Sequence, residues 1–377
     1  MEKKHIIQIC RDATDTGGGR VVLETSAHFA KSGYLVTIIT DTKCDIDIDG
    51  VSFIYTWMGQ RLKNWKVKHK LLKTIRHFLQ MSIFMFTSYF EVKKIKDHKV
   101  ILNHNLESLV GDVYVLHNVF NYENLNKKLI KKLVRWLNPV FLLRGARELF
   151  LLSRSKEKRI ICVSEATLEE AKPFCNPKSI LQYINNGVNA SFFSYKERSF
   201  PINKFDLIFV GHEYERKGLD YAIGCLALLP EYVKLYIVGG SGSSQEKYEN
   251  LAIKYDVRDR VYFQGTVLGE ELVSLYHKCD LFILPSMYET WALVGLESMS
   301  CGLPVLMTQV GGIPEYLSNN TNGFFITQSN EDIADKISTI ITNPDLYIQL
   351  SQNARKAAVD HSWSACAEKY LRVINSI

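Results

Sequence analysis

Apolar residues in the first half of the chain change from a strand-like run to a helical period over a short distance. The segment Ile6–Cys10 is almost entirely apolar and predicts a buried strand. After a glycine turn at 17–19, apolar side chains recur at helical spacing, and Leu35–Thr40 is again strand-like. This order predicts a β-loop-α-β unit, which packs as parallel strands with a right-handed crossover.

The second half shows the same alternation more clearly. Apolar runs predict strands at Leu207–Val210, Leu235–Val238, Val261–Gln264, Leu281–Leu284 and Val305–Thr308. Helix-length segments accompany them at Leu219–Leu229, Gln245–Tyr255, Glu270–His277, Val294–Ser300, Pro344–Val359 and Ser364–Ile377. Strands that alternate with helices predict two Rossmann-like, doubly wound α/β domains facing a cleft. A turn-rich break at 185–189 places the joint, which gives domains 1–187 and 188–362.

Composition adds that the chain belongs to the soluble globular class. Its 377 residues are 46% hydrophobic and 23% charged, which is typical of two ordinary domains. The apolar run Met81–Phe86 is too short to span a bilayer. No signal peptide pattern precedes the first strand, so we expect a cytoplasmic protein. The eight cysteines are scattered without a C-x-x-C pair, which favours reduced thiols.

Two glutamates, Glu289 and Glu297, are the most informative polar positions of the chain. Glu289 follows the predicted strand Leu281–Leu284, and Glu297 lies about one turn into the next helical segment. Loops at the carboxyl ends of parallel strands bind ligands in open α/β sheets. A carboxylate there accepts hydroxyl hydrogen bonds from a sugar or a ribose. On spacing alone, the pair also fits two general acid–base carboxylates.

Cations and glycines lie at other predicted strand ends. Arg216 and Lys217 precede a helix whose N-terminus favours phosphate, and a diphosphate leaving group needs such positive charge. The alternative is a solvated surface pair. Glycine turns that permit close approach of a ligand, or that are simply tight turns, follow the strands at Gly211, Gly239–Gly242, Gly265 with Val267, and Gly311–Gly312.

The first half offers a glycine turn and two histidines. The run Gly17–Gly19 opens the first predicted helix, but it lacks the G-x-G-x-x-G spacing of a dinucleotide site, which disfavours an NAD dehydrogenase. His104 and His117 each follow a strand-like segment, so at least one of them is a candidate for the cleft, although lone histidines are more often structural. The sequence shows no cluster with metal-ligand spacing and no nucleophile elbow.

Positive charge is concentrated in the first half. Residues 1–185 carry 30 Lys+Arg and 18 Asp+Glu, whereas residues 186–377 carry 16 and 22. Basic residues alternate with Trp and Leu in segments 61–99 and 127–147, a pattern typical of interfacial helices on anionic membranes. The alternative is a solvated helix that packs by its apolar side. No nucleic-acid module is recognisable, so we expect no nucleic-acid partner.

These motifs together resemble the retaining glycosyltransferases of the large family 4, which have two Rossmann-like domains in the GT-B arrangement. Glu289 and Glu297 look like that family's E-x7-E motif, and Pro285–Ser286 and Cys301–Val305 match its surroundings. Arg216–Gly218 resembles its phosphate-binding segment, and Asn186–Asn189 its interdomain N-G-V-D. The stretch around Arg216–Gly218 is similar to that of lipopolysaccharide-core glucosyltransferases. Ser362–Trp363 resembles the point where a terminal helix, 363–377, returns to the first domain.

The resemblance implies roles for individual residues. Glu297 would bind the ribose of the nucleotide, Glu289 the transferred sugar, and Lys217 with Arg216 the diphosphate. Glu289, His117 and Lys217 are thereby the candidate catalytic residues. Further donor or acceptor contacts are expected at Gly18, Gly19, Gly211, Gly239, Gly265, Val267, Thr290, Trp291, Ala292 and Leu293. Such enzymes work without a metal or other cofactor.

Two departures from the family pattern concern the donor. His212 stands where the family often has arginine, and Thr290–Ala292 replaces its usual Gly-Phe-Gly, which is expected to narrow the space beside the sugar. The expected function is transfer from a nucleotide sugar to a lipid-linked glycan, lipopolysaccharide or other surface polysaccharide at the inner face of the cell membrane. A UDP-sugar is the favoured donor, and a GDP-sugar is the alternative. The alternatives are a nucleotide-sugar epimerase or phosphorylase, and a non-catalytic sugar-binding protein.

Overall fold

The computed structural model describes residues 4–14, 17–43, 46–56, 61–62, 65, 69–96, 98–125, 135, 137–201, 203–240 and 243–377. The chain divides into two compact units, one of residues 1–185 with 363–377 and one of residues 186–362. The division at 185/186 lies two residues before the predicted joint. The cysteines within the described residues are free thiols, and most of them are buried.

The first unit is built on a seven-stranded parallel sheet in the order β3-β2-β1-β4-β5-β6-β7. Its strands are β1 His5–Ile9, β2 Leu35–Thr40, β3 Val51–Tyr55, β4 Lys99–His104, β5 Val113–Leu116, β6 Arg159–Cys162 and β7 Ile180–Tyr183. Its helices before the division are α1 Gly17–Lys31, α2 Lys70–Lys94, α3 Phe120–Leu125, α4 Pro139–Ser153 and α5 Glu165–Ala171. The central strands are buried on both faces, as expected where helices cover a parallel sheet.

The second unit is built on a six-stranded parallel sheet in the order β10-β9-β8-β11-β12-β13. Its strands are β8 Phe205–Val210, β9 Val233–Val238, β10 Val261–Gly265, β11 Leu281–Leu284, β12 Val305–Thr308 and β13 Gly323–Ile326. Its helices are α6 Leu219–Gly224, α7 Ser243–Lys254, α8 Gly269–Lys278, α9 Leu293–Ser300, α10 Asn330–Ile341 and α11 Pro344–Asp360. Both units are therefore doubly wound, which confirms the predicted α/β class.

The terminal helix α12, Trp363–Asn375, packs in the first unit although it follows the second in sequence. The ring of Tyr370 lies 6.4 Å from that of Phe29 on α1. Lys4 Nζ donates to the carbonyl of Ile374 at 3.2 Å. The first unit is thus completed by a segment from the far end of the chain.

One predicted helix is wrong in its extent. The segment Leu219–Leu229 was expected to be a single helix, but α6 ends at Gly224 and a 3-10 turn, Cys225–Leu228, follows. Glycine weakens a helix interior, and a Cβ at Gly224 would lie 2.5 Å from the Asn330 side chain, so the close packing of α10 requires glycine here. Pro230 then disfavours helical geometry at Leu229, whose φ of −114° and ψ of 155° are extended.

Candidate active site

The second sheet reverses its winding direction between β8 and β11. These two strands are hydrogen-bonded neighbours, while β9 and β10 extend to one side and β12 and β13 to the other. The crevice beyond the carboxyl ends at such a switch point is where open α/β sheets bind ligands. The loop after β8 carries Gly211, Arg216 and Lys217, and the loop after β11 carries Glu289. The fold therefore brings the predicted cations and the first predicted carboxylate to the same place.

Glu289 is buried among cationic and hydroxyl donors. Its Oε1 accepts from Lys217 Nζ at 2.9 Å and from Ser286 Oγ at 2.9 Å, and it lies 3.2 Å from Arg216 Nη1. Burial by itself would raise the pKa of Glu289, but the charges of Lys217 and Arg216 outweigh it and lower that pKa. The same pairing raises the pKa of Arg216 in spite of its partial burial. Glu289 is thus held as a carboxylate.

Lys217 reaches Glu289 because residue 211 has no side chain. A Cβ built on Gly211 would lie 2.0 Å from Cδ and 2.5 Å from Cε of Lys217. Gly218, with φ of 70°, lets the chain turn beside the carbonyl of Pro285, from which a Cβ would be only 2.1 Å away. The two loops are also joined directly, since Met287 N donates to the carbonyl of Arg216 at 2.8 Å. The side chain of Lys217 therefore reaches Glu289 by passing directly over the Cα atom of Gly211.

The main chain of Glu289 is fixed by the loop after β12. Gly311 has a φ of 55°, and a Cβ there would lie 1.7 Å from the carbonyl oxygen of Glu289. Gly312 N donates to the carbonyl of Thr290 at 3.0 Å. The loops after three neighbouring strands of the sheet, β8, β11 and β12, hence position both the side chain and the main chain of Glu289.

The side chain of Trp291, in the segment Thr290–Ala292 that is expected to narrow the donor space, lies inside the second unit. Trp291 is only 6% exposed, and its ring lies 5.2 Å from Tyr316 and 5.9 Å from His361. Ala292 is buried too, and its carbonyl accepts from Tyr316 Oη at 3.1 Å. A large apolar ring is stabilised inside this unit, so it turns inward rather than toward the loop surface. Thr290 and Leu293 are half-buried, and the donor role predicted for this segment stays a prediction.

Glu297 lies on α9 of the same unit and is 3% exposed. The structure places it just over one helical turn after Leu293, as the sequence predicts. Its ribose-binding role stays a prediction.

The ends of β8, β9 and β10 also meet at this edge. Gly239 has a φ of 99°, a Cβ there would lie 2.4 Å from the carbonyl of Gly211, and its N–H donates to the carbonyl of Gly265 at 2.6 Å. His212 takes part, since its Nδ1 accepts from Gly240 N at 3.2 Å. Gly265, with φ of 67°, has open space beside it, and Val267 is half-buried. Ser241 and Gly242 lie outside the described residues.

The first unit brings its predicted residues together at its own switch point, between β1 and β4. His104 ends β4, and His117 follows β5. Their rings stack at 5.3 Å, with His104 Nδ1 3.0 Å from His117 Nε2. Gly18 lies against His117, since a Cβ there would be 3.3 Å from its Cδ2, whereas a Cβ on Gly19 would collide with the carbonyl of Thr14 at 2.3 Å.

Burial keeps both histidines neutral. It lowers the pKa of His117 to about 4. Burial and, after it, the proximity of His117 also lower the pKa of His104 well below its usual value. His104 Nε2 lies 2.8 Å from Oε1 of Gln8, a buried residue of β1. Sequence reasoning missed Gln8, although a glutamine inside an otherwise apolar strand was the available signal, because a buried amide requires partners.

A second group that sequence reasoning missed surrounds the loop after β4. Asn105 and Leu106 both have positive φ, 50° and 57°, which is strained for residues other than glycine. The carbonyl of Asn105 accepts from Arg147 at 3.4 Å, and its side chain accepts from His117 N at 3.1 Å. Glu107 accepts from Arg11 N at 2.6 Å. The signal was the same as for the histidines, namely polar residues directly after buried strands.

No group of three or more histidine, cysteine, aspartate or glutamate side chains suited to a metal ion occurs among the residues described above. Likewise, none of the described helices reaches the length and apolarity that crossing a bilayer requires.

Comparison with known proteins gives a family match that lies within the second unit. Residues 193–357 match the family described as glycosyl transferases group 1. An uncharacterized glycosyltransferase of Methanocaldococcus jannaschii is 30% identical over 59% of this chain, and the match spans 61% of that protein. An uncharacterized glycosyltransferase of Haemophilus influenzae is 27% identical over 95% of this chain and 96% of its own length.

Solved structures resemble the whole chain. Sucrose-phosphate synthase from Thermosynechococcus elongatus superposes with a TM-score of 0.80 at 19% identity, covering 99% of each chain. WaaG, a glycosyltransferase involved in lipopolysaccharide biosynthesis, gives 0.75 at 20%, covering 98% of this chain and 99% of WaaG. Anabaena HepE in complex with UDP-glucose gives 0.70 at 16%, covering 99% and 100%. The chain therefore has the GT-B fold of these proteins. Within that fold, residues 193–357 are the part that matches the glycosyl transferases group 1 family.

Proposed function

We propose that this protein is a retaining glycosyltransferase that uses a UDP-sugar. The observation that carries the proposal is the cluster of buried Glu289 and Ser286 with half-buried Lys217 and Arg216, at the switch point of the segment that matches the group 1 family. HepE, with the same fold, was solved with UDP-glucose, which supports UDP as the nucleotide. A lipid-linked glycan, lipopolysaccharide or other surface polysaccharide is the proposed acceptor, with WaaG as the supporting comparison.

Glu289 and the donor diphosphate would share the same two cations. Without a donor, the carboxylate forms ion pairs with both Lys217 and Arg216. A bound diphosphate offers a larger negative charge, and the cations would stabilise it as the bond to the sugar breaks. No metal is required in this proposal, because the two side chains supply the positive charge.

Retention is proposed to occur by front-face attack. Oε1 of Glu289 already has close contacts to three donor groups, and the lowered pKa of Glu289 makes it a weak nucleophile. A covalent sugar–Glu289 intermediate is therefore disfavoured. The C1–O bond to the diphosphate would break with its electron pair on the phosphate oxygen, the acceptor oxygen would bond to C1 on the same face, and its proton would pass to the departing oxygen.

The central experiment compares Lys217→Ala and Glu297→Ala with the wild type. A thermal-shift panel of UDP- and GDP-sugars first identifies a donor, because a ligand that binds the folded state stabilises it by mass action. Transfer to a glycolipid acceptor is then measured by mass spectrometry. We expect each variant to lose most of the activity with an unchanged circular dichroism spectrum. Lys254→Ala and Glu271→Ala, at exposed positions of the same unit, are the matched controls. Full activity of both site variants would contradict the proposal.

The alternatives give different products in the same assay. An epimerase changes the sugar of the donor without any acceptor, and a phosphorylase requires free phosphate. A non-catalytic sugar-binding protein shows a thermal shift without turnover. The epimerase is therefore detected in a donor-only reaction and the phosphorylase in a reaction with added phosphate, each run beside the complete reaction.

We further propose that the first unit binds the anionic inner face of the cell membrane. Along α2, exposed apolar side chains follow one stripe at helical spacing, at Leu72, Ile75, Leu79, Phe86 and Phe90. Exposed Lys73, Lys93 and Lys94 lie on the same helix, and α4, which packs against α2, adds exposed Leu142, Leu149 and Phe150. Apolar side chains beside lysines suit an interface with anionic lipid. Lys63, Lys66, Lys68 and residues 126–134, which entered the sequence prediction, lie outside the described residues.

Liposome flotation tests the docking face. The wild type is expected to float with vesicles that contain anionic phospholipid and to remain in solution with neutral vesicles. The variant Phe86→Ser/Phe90→Ser should lose flotation, whereas Leu268→Ser, equally exposed but in the second unit, should retain it. Flotation that is independent of anionic lipid, or unaffected by the double substitution, would contradict the proposal.

A further inference from the structure

Gln8, His104 and His117 form a hydrogen-bonded chain inside the first unit. Gln8 Oε1 lies 2.8 Å from His104 Nε2, and His104 Nδ1 lies 3.0 Å from His117 Nε2. Gln8 and His104 are fully buried, and His117 is half-buried at the end of the chain of contacts. The direction in which hydrogen bonds are donated along this chain decides whether Nδ1 of His117 is a donor or an acceptor toward a ligand.

The orientation of the Gln8 amide sets that direction. Its Nε2 lies 3.1 Å from the carbonyl of Val22 and 2.6 Å from Ser26 Oγ on α1. A carbonyl oxygen only accepts, so the amide nitrogen must face α1 and the amide oxygen must face His104. His104 Nε2 therefore carries a hydrogen and donates it to Gln8.

A neutral His104 has no second N–H to donate. Its Nδ1 is then an acceptor, and Nε2 of His117 must be the donor across the 3.0 Å contact. The hydrogen of neutral His117 is thereby committed to Nε2, and its Nδ1 keeps a free lone pair. Among the residues that the structure describes, none donates to that atom.

We propose that Gln8 and His104 are positioning residues that hold His117 in its Nε2–H form, so that Nδ1 of His117 accepts a hydrogen bond from a hydroxyl group of a substrate sugar. The proposal rests on the glycosyltransferase function proposed above and deepens it. Neither Gln8 nor His104 touches the substrate; they act through the polarity of His117. A histidine in this tautomer favours a ligand whose hydroxyl group donates a hydrogen bond to Nδ1. It disfavours a ligand that has only a hydrogen-bond acceptor at that position.

Histidine ¹⁵N shifts measured on the full-length protein report the tautomer directly. Uniformly ¹⁵N-histidine-labelled wild type is compared with His117→Asn, which assigns the His117 signals. Protonated Nε2 and unprotonated Nδ1 are expected in the wild type at neutral pH, and the Nδ1 signal should shift when UDP-glucose is added. A wild-type His117 that carries its proton on Nδ1 would overturn the proposal.

Two variants alter the polarity without touching the substrate. His104→Phe removes the acceptor for His117 Nε2–H, so both tautomers become populated. Gln8→Glu places a carboxylate against His104, favours its imidazolium form and reverses the chain, leaving His117 with Nδ1–H. We expect kcat/KM to fall by about 10-fold to 100-fold in each, the range that follows from one lost buried hydrogen bond. Thr25→Val removes a neighbour that contacts Gln8 at 3.2 Å but leaves both histidines, and it is the matched control for packing.

The outcomes separate the two claims. Variants that keep the wild-type kcat/KM while their His117 tautomer changes would overturn the positioning role. A fall of the same size in Thr25→Val would also overturn it, because packing would then account for the loss. If the wild type turns over no nucleotide sugar, the proposed function fails, and the ¹⁵N shifts still decide whether Gln8 and His104 set the tautomer.

Discussion

The substitution Gly211→Ala tests whether Lys217 reaches Glu289 only because residue 211 has no side chain. The new Cβ would lie 2.0 Å from Lys217 Cδ and 2.5 Å from Cε, so the lysine must abandon its contact with Glu289. Because the colliding atoms belong to the far end of a flexible side chain, the backbone has no reason to move. Gly211→Ala should therefore behave like Lys217→Ala, although it keeps the lysine.

The magnitude follows from the contacts that remain. Removal of one hydrogen-bond donor from a charge that develops in the transition state costs about 10²–10³ in kcat, or about 2.7–4 kcal/mol. In Gly211→Ala, Glu289 loses its contact with Lys217 but keeps its contacts with Ser286 and Arg216. We therefore expect the free energy of unfolding of this variant to fall by about 1.5–3 kcal/mol. A buried charge left without any partner would cost more, roughly 3–5 kcal/mol.

A double-mutant cycle measures whether the two substitutions remove one interaction. We expect the double variant Gly211→Ala/Lys217→Ala to lose no more activity than either single variant, which corresponds to a coupling energy of about 2.7–4 kcal/mol. Transfer rates and urea unfolding are measured for all four proteins. Wild-type kcat in Gly211→Ala, or losses that multiply in the double variant, would refute the argument.

Three other predictions concern loops and buried acids. Gly311→Ala should lower the free energy of unfolding, measured in urea, by more than Gly269→Ala. Both glycines have positive φ, but only a Cβ at Gly311 would collide, at 1.7 Å, with the carbonyl oxygen of Glu289. Equal losses would show that the backbone strain of positive φ alone determines the effect. Burial raises the pKa of Asp41 to about 6, so folding favours its protonated form, and the free energy of unfolding should fall as pH rises from about 4 to 6. Asp41→Asn should remove this fall and be more stable at pH 7 by at most about 3 kcal/mol. The control is Asp335→Asn at an exposed position of the second unit, and the same pH profile in both variants would contradict the argument. The lowered pKa of Glu289 has the opposite sign, since its stabilisation is present above the unfolded pKa near 4.5 and is lost as pH falls through the lower folded value. Glu289→Gln should therefore lose less stability on acidification than the wild type, and an unchanged acid profile would refute this.

The elements that sequence predicted best are those whose periodicity was complete. Strands β11 and β12 match their predicted bounds because parallel strands buried on both faces read as continuous apolar runs. Strand β13 and helix α10 were not predicted. Gly323–Ile326 is a four-residue edge strand, and the N-cap of α10, where Ser329 Oγ accepts from Asp332 N at 3.3 Å, was not recognised.

The candidate site shows a similar limit. Sequence placed Lys217 and Glu289 at strand ends, but their ion pair joins residues 72 apart, and no local pattern indicates which strands are neighbours. The clearance at Gly211 depends on the path of one side chain, and the inward turn of Trp291 depends on Tyr316 and His361 from other segments. Spacing along the chain carries no information about either.

The position of α12 has a consequence for the order in which the units can fold during synthesis. Residues 186–362 form their unit from one continuous stretch, so that unit is complete before the ribosome reaches residue 363. The first unit, although its sheet is translated earlier, lacks the partner of Phe29 on α1 until Tyr370 has been made. Domains usually fold in the order of their translation. Here the second-encoded unit can finish first, and the α1 surface around Phe29 remains an uncovered apolar surface on the nascent chain until α12 has left the ribosome.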